Sequence, residues 1–140
     1  MVLTDLPPSP MVSRGASMDF QSGAACSLAI FAHNPHAIAA MSQLLGNLSA
    51  KRKYVLLCHA GDRSDQEIKD LTKGAVGFGP DMVVTAELED SLRGRELGEI
   101  RTLISAQCVE SGSAADAVMH TASPGEGTAV ARAQVSAGEV

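Results

Sequence analysis

KYVLLCHAGDRSDQEIKDLTKGA, residues 53–75, holds one complete strand–turn–helix unit. Its first part, KYVLLCHA (53–60), is a continuous apolar run, the pattern of a strand covered on both faces rather than half-solvated. A GDRS turn follows. Ser64 and Glu67 then form S-x-x-E, a capping box in which two side chains satisfy amides left unpaired at a helix start. The pattern predicts a helix near 65–77.

The same unit recurs on both sides. CSLAIFA (26–32) reads as a buried strand. Residues 35–48 then carry Ile38, Met41, Leu44, Leu45 and Leu48 at spacings of three and four, an amphipathic helix. DMVVTAE (81–87) is a third strand, introduced by the turn residues Gly79-Pro80-Asp81. ELEDSLRGRELGE (87–99) is a charged loop with two glycines, and a helix near 97–109 turns Ile100, Leu103, Ile104 and Cys108 inward. ADAVMHTA (115–122) predicts a fourth strand. Ser123 as N-cap and Pro124 at the first helical position open a last helix reaching about Ser136. MDF (18–20) adds a short strand. Alternating strands and helices with apolar strands call for an α/β fold, a mostly parallel sheet with helices on both faces and right-handed crossovers. The alternation ends on a helix, so the sheet is expected to lack its last strand. Residues 1–17, rich in Pro and Ser, read as a flexible N-terminal segment, and 18–140 as one domain.

Composition narrows the function classes. Aromatic residues are 3% of the chain and tryptophan is absent, so the core is aliphatic and base stacking is an unsuitable way to hold nucleic acid. A formal charge of −5 argues against general polyanion binding. Cys26, Cys58 and Cys108 are widely spaced with no C-x-x-C pair, which disfavours structural zinc and suits a reducing cytoplasm. No apolar run reaches the length of a membrane helix, and no secretory leader pattern opens the sequence.

In an open α/β sheet, ligands bind beyond the carboxyl ends of the strands. Three polar clusters fall there: His33-Asn34, His59 through Asp62-Arg63, and Glu87 through Arg95. Each also has a plain structural reading. Asn34-Pro35 is a good helix start, and Asp62 and Arg63 can pair on the surface to little effect. Arg93 and Arg95 flank Gly94; arginine suits bidentate oxyanion binding, and glycine lets backbone approach a ligand. GxxxxGK[ST], GxGxxG, GxSxG and HExxH are all missing from the chain. Cys58 and His59 are neighbours on a strand and point to opposite faces, which argues against a nucleophile–base pair.

Three segments resemble a known family. FAHNPHAIAAM (31–41) is similar to the D-[YFG]-A-H-N-P segment opening the C-terminal domain of the Mur ligase superfamily. HAGDRSDQEI (59–68) and LRGRELGEI (92–100) resemble the G-D-R-x-D-x-x-I and R-G-R-x-x-G-E segments of its cyanophycin synthetase-like branch. They occur in family order and, with HTASPGEGTAVARA (120–133), span roughly 18–140. The resemblance implies a Rossmann-like C-terminal domain of an ATP-dependent amide (peptide) bond ligase. In the family this domain closes over a central ATPase domain, helps to bind nucleotide and positions the amino-acid substrate. ATP and Mg2+ are the implied cofactors. An amino-acid or peptide substrate and a central ATPase domain or subunit are the implied partners, with no nucleic acid and no membrane. His33 and Asn34 are placed on the nucleotide side, and Asp62, Arg63, Arg93 and Arg95 at the substrate cleft; no catalytic residue or metal ligand is assigned. The family aspartate before the aromatic is Ile30 here, and the family's phosphate loop is not among these 140 residues. A chain of this kind is expected to bind ATP weakly by itself and not to turn it over. The alternative is a non-catalytic binding module, or a remnant of such a ligase.

Overall fold

A computed structural model describes residues 2–4, 16–20, 26–30, 34–47 and 52–137. Strands β1 (Val2–Thr4), β2 (Ala16–Phe20) and β3 (Cys26–Ile30) lead into helix α1 (Pro35–Asn47). Then come β4 (Lys53–Leu57), α2 (Asp65–Ala75), β5 (Met82–Ala86), α3 (Glu99–Glu110), β6 (Val118–Thr121) and α4 (Pro124–Ala137). Short 3-10 turns at Glu89–Ser91 and Ala115–Ala117 precede α3 and β6.

The six strands form one sheet in the order β2-β3-β1-β4-β5-β6. β4, β5 and β6 pair in parallel, with Val55 opposite Val83 and Val83 opposite Val118. β1 is antiparallel to both β3 and β4, so β3 points the same way as β4–β6. β2 is antiparallel to β3. The fold is therefore α/β and Rossmann-like, with a parallel three-stranded run flanked by helices on both faces. One element departs from expectation. Val2–Thr4 falls in the span read as a flexible lead-in, yet it forms a strand between β3 and β4. Three residues carry no period that a sequence pattern could reveal. No strand follows α4 among the described residues.

Burial in β4 and β5 explains the continuous apolar runs. Val55, Leu57 and Val83 face a cluster with Ile38, Met41 and Leu45 of α1, Ile68 and Leu71 of α2, and Ile100, Ile104 and Cys108 of α3. Tyr54, Leu56, Met82, Val84 and Ala86 face the other way and pack with Ala131 of α4. Alternate residues are thus buried on opposite faces. A fully buried Ile or Leu contributes roughly 1.5–3 kcal/mol by its removal from water. Leu44, in the apolar series of α1, is left 38% exposed while its neighbour Leu45 is fully buried.

The ends of the elements are pinned by side chains. The Glu67 N–H donates to Ser64 Oγ at 3.2 Å, and the Ser64 N–H donates to Glu67 Oε2 at 2.8 Å. That is the expected capping box, and the Ser64 amide and hydroxyl hold the Glu67 carboxyl below its ordinary range. Lys53 Nζ donates to the Leu45 and Gly46 carbonyls at 2.6 and 3.3 Å, closing the last turn of α1. The Lys53 N–H donates to Asp81 Oδ2 and the Asp81 N–H to the Lys53 carbonyl, at 2.7 and 2.8 Å, tying the starts of β4 and β5. Among the described residues, no helix is long and apolar enough to cross a membrane.

Candidate functional site

The carboxyl ends of β3, β4, β5 and β6 lie along one edge of the sheet, because these strands share a direction. The loops that carry the polar clusters therefore gather there. His33 lies outside the described residues. Asn34 starts α1: its Oδ1 accepts the Ala37 N–H at 2.8 Å and its carbonyl accepts the Ile38 N–H at 3.1 Å. The cap expected at Asn34-Pro35 is present, and it occupies the Asn34 side-chain oxygen.

The loop after β4 and the loop after β5 interlock. The Gly61 N–H donates to the Ser91 carbonyl at 2.8 Å. A Cβ built on Gly61 would stand 1.9 Å from the Leu92 carbonyl oxygen, so only glycine allows this approach. Arg95 crosses the junction. Its Nε donates to the Gly61 carbonyl at 3.1 Å and its Nη2 to the Arg63 carbonyl at 2.7 Å. The same Nη2 lies 2.7 Å from Asp65 Oδ1, and Nη1 lies 2.5 Å from Glu99 Oε1. All three guanidinium nitrogens are used inside the protein, and the side chain is only 15% exposed.

Arg93 has the opposite environment. It is exposed, and among the described residues its side chain has no hydrogen-bond or ion-pair partner. Its φ is +53°, the left-handed region that a non-glycine residue rarely enters, and Gly94 follows at +92°. Leu92 before it is right-handed helical, φ −64° and ψ −28°. A right-handed residue followed by a left-handed one turns successive N–H groups to the same side. Asp62 is exposed in the turn after β4, and Arg63 is half-buried beside it.

Two buried groups sit behind these loops. Glu87, directly after β5, is 3% exposed. Its Oε2 accepts the Gly98 N–H at 2.8 Å and lies 3.7 Å from Arg101 Nε, a carboxylate at the N-terminus of α3. Its Oε1 is buried without a partner. His59, grouped by sequence with Asp62 and Arg63, is instead buried against α2, with Nε2 3.5 Å from Thr72 Oγ1. Burial, and secondarily the Arg63 charge, push its imidazole down to about 4. Cys58 packs on the other face with the α4 cluster, and burial raises its thiol. Cys58 and His59, the two residues that follow β4, thus diverge to opposite faces.

Connections from β4 and β5 run over one face through α2 and α3, while α4 returns over the other. The divergence falls between β5 and β6, beside the loop Ala122-Ser123-Pro124. Ser123 Oγ accepts the Glu126 N–H at 3.2 Å as the N-cap of α4, and Glu126 Oε2 accepts the N–H of Ala122, one residue before the cap, at 2.8 Å. The sequence shows the Ser123 cap directly; Gly61, Asp65 and Glu99 stand in it only as positions of the G-D-R-x-D-x-x-I and R-G-R-x-x-G-E segments, with no role of their own. Among the described residues, no group of three or more His, Cys, Asp or Glu side chains is arranged to hold a metal.

The interlocked loops offer charge and hydrogen-bond donors at the sheet edge, with no activated nucleophile. Such a surface can hold and orient a ligand. No protein-family model matches the sequence, and no curated protein matches it.

Proposed function

We propose that this chain acts as the C-terminal domain of an ATP-dependent amide ligase of Mur ligase, cyanophycin synthetase-like type. It helps to bind nucleotide and orients the amino-acid or peptide substrate, while a central ATPase domain supplies phosphoryl transfer. One observation carries this reading. The two segments that resemble the family's G-D-R and R-G-R motifs are the two that Arg95 and Gly61 bind together at the carboxyl edge of the sheet. Segments 34 positions apart that share one guanidinium are a reason to read them together.

In this reading His33 and Asn34 face the nucleotide. Asn34 contributes its amide nitrogen, since its oxygen caps α1. Asp62, Arg63 and Arg93 line the cleft toward substrate. ATP and Mg2+ supply the activated acyl phosphate when bound to the whole enzyme, and a cytoplasmic setting belongs to the same proposal. A binding module without catalysis is the second reading. It is favoured by Ile30 in place of the family aspartate, which removes a polar partner for nucleotide.

Supplying the central ATPase domain of a cyanophycin synthetase-like ligase in trans tests the choice. ATP-dependent amide formation that requires this chain is the expected result; no activity above the ATPase domain alone supports the second reading. Calorimetric titration of ATP–Mg2+ into the isolated chain is expected to show weak or undetectable binding. Micromolar affinity would contradict that expectation.

A further inference from the structure

We infer that the two arginines of the R-G-R stretch have separate tasks: Arg95 is a positioning residue that locks the loops after β4 and β5 together, and Arg93 is the group offered to an oxyanion ligand. The inference rests on the cleft reading above, and it divides a pair that sequence treats alike.

Arg95 cannot serve a ligand without giving up its contacts to the loops after β4 and β5. Its Nε, Nη1 and Nη2 contact the carbonyls of Gly61 and Arg63 and the carboxylates of Asp65 and Glu99. A planar fork matched to acceptors on three sides is the geometry in which Lys does not replace Arg. Arg93, two residues earlier, is exposed and has no such partner among the described residues. Arg93 and Gly94, both at positive φ, are the two central residues of a tight turn closed by the Arg95 N–H on the Leu92 carbonyl, positions that glycine or asparagine usually take. The left-handed φ of +53° is held because both sides of the turn are fixed. On one side the Ser91 carbonyl accepts from Gly61; on the other the Arg95 N–H donates to the Leu92 carbonyl at 3.1 Å, and the Arg95 side chain is clamped. A disfavoured backbone state that the surroundings impose is a reason to look for function at that residue. The same Leu92–Arg93 geometry turns successive backbone N–H groups to one side, which adds donors to the guanidinium. A tetrahedral phosphate and a planar carboxylate share the required chemistry, a pair of anionic oxygens that can accept parallel N–H donors.

Amide chemical shifts of the full, 15N-labelled chain, followed at constant ionic strength, test this. Inorganic phosphate is titrated in one arm and glutamate in the other, so the two sources of oxyanion are compared directly. Saturable shifts at the amides of 92–94 in either arm are expected, with affinity falling tenfold or more in Arg93→Gln while the melting temperature stays unchanged. Arg95→Lys is read well below its melting temperature, with the β4–β6 amides as the check on folding. It is expected to lose a similar fraction of affinity although it keeps its charge and Arg93 is intact; a merely structural Arg95 would lower the melting temperature and leave affinity alone. Absent or non-saturable shifts, wild-type affinity in Arg93→Gln, or wild-type affinity in folded Arg95→Lys each overturn the assignment. The readout needs neither ATP nor the ATPase domain. Failed ligase reconstitution with phosphate bound at Arg93 would sink the ligase reading alone, and successful ligation by Arg93→Gln would sink this one alone.

Discussion

His59 shows how a single residue can tie stability to pH. Its ring titrates near 6.5 in the unfolded chain and near 4 in the fold, where burial disfavours the charged form. Above pH 6.5 both states are neutral and His59 contributes no slope. Between 6.5 and 4 the unfolded chain alone takes up the proton, so stability falls as pH falls, by roughly 3 kcal/mol across the window. Urea unfolding at pH 7.5, 6 and 4.5 checks the sign, and His59→Leu is expected to flatten the curve over that range. A wild-type slope in His59→Leu would assign the effect to other groups. In sequence, His59 stood with Asp62 and Arg63 as one polar cluster. The strand was expected to run on to Ala60, but β4 ends at Leu57 and His59 follows it; which face carries α2 was not readable, and that face is what buries the ring. Arg93 and Arg95 teach the same lesson. They look equivalent around Gly94, and what separates them is largely the Gly61 and Arg63 carbonyls and the Asp65 carboxylate, all about thirty positions away.

Elements were more legible than residues, because caps and apolar runs are local. The Ser64–Glu67 and Ser123 caps, the starts of α1, α2 and α4, and the buried β4 and β5 follow from neighbours within a few positions. The fourth strand was expected over 115–122, but its first part, Ala115–Ala117, is a 3-10 turn. Loop contacts between elements were not legible, and Gly61 is the clearest case. A methyl group there would meet the Leu92 carbonyl oxygen at 1.9 Å, so the loops must part. Gly61→Ala is expected to cost about 1–3 kcal/mol, as overpacking does. It should also release the Gly61–Ser91 hydrogen bond. Amide exchange at Gly61 accelerating ahead of the α2 amides would show the loops parting, and an unchanged melting temperature would mean that they slide apart freely. Gly127 is the gentler comparison: a Cβ there would meet the ends of the Leu56 and Thr121 side chains at 2.7 and 2.9 Å, atoms that can move.

At the scale of the molecule, the α/β class was readable from the alternation of apolar strands and amphipathic helices, and the order of β4, β5 and β6 follows it. What the pattern could not show is that Val2–Thr4 enters the sheet. Three residues decide how the two parts of the sheet meet. Among the described residues, β2 and β3 join the sheet of β4, β5 and β6 through β1, paired over Val2–Thr4 on both sides. The sheet thus has a seam. β5 is held along its length by parallel neighbours, whereas the border of β4 that faces β1 is held by a short strand from far away in the chain. Local opening should begin at such a border, since fewer hydrogen bonds must break together. Native-state hydrogen exchange is expected to show the β4 amides that face β1 opening at least tenfold faster than those of Val83 and Val84. Equal protection on both sides would mean that the helices, not the strands, carry the load across the seam. A tether pulling on β3 and β6 would tear the sheet along β1 first, leaving β4, β5 and β6, with the clamped loops, as the last part to yield.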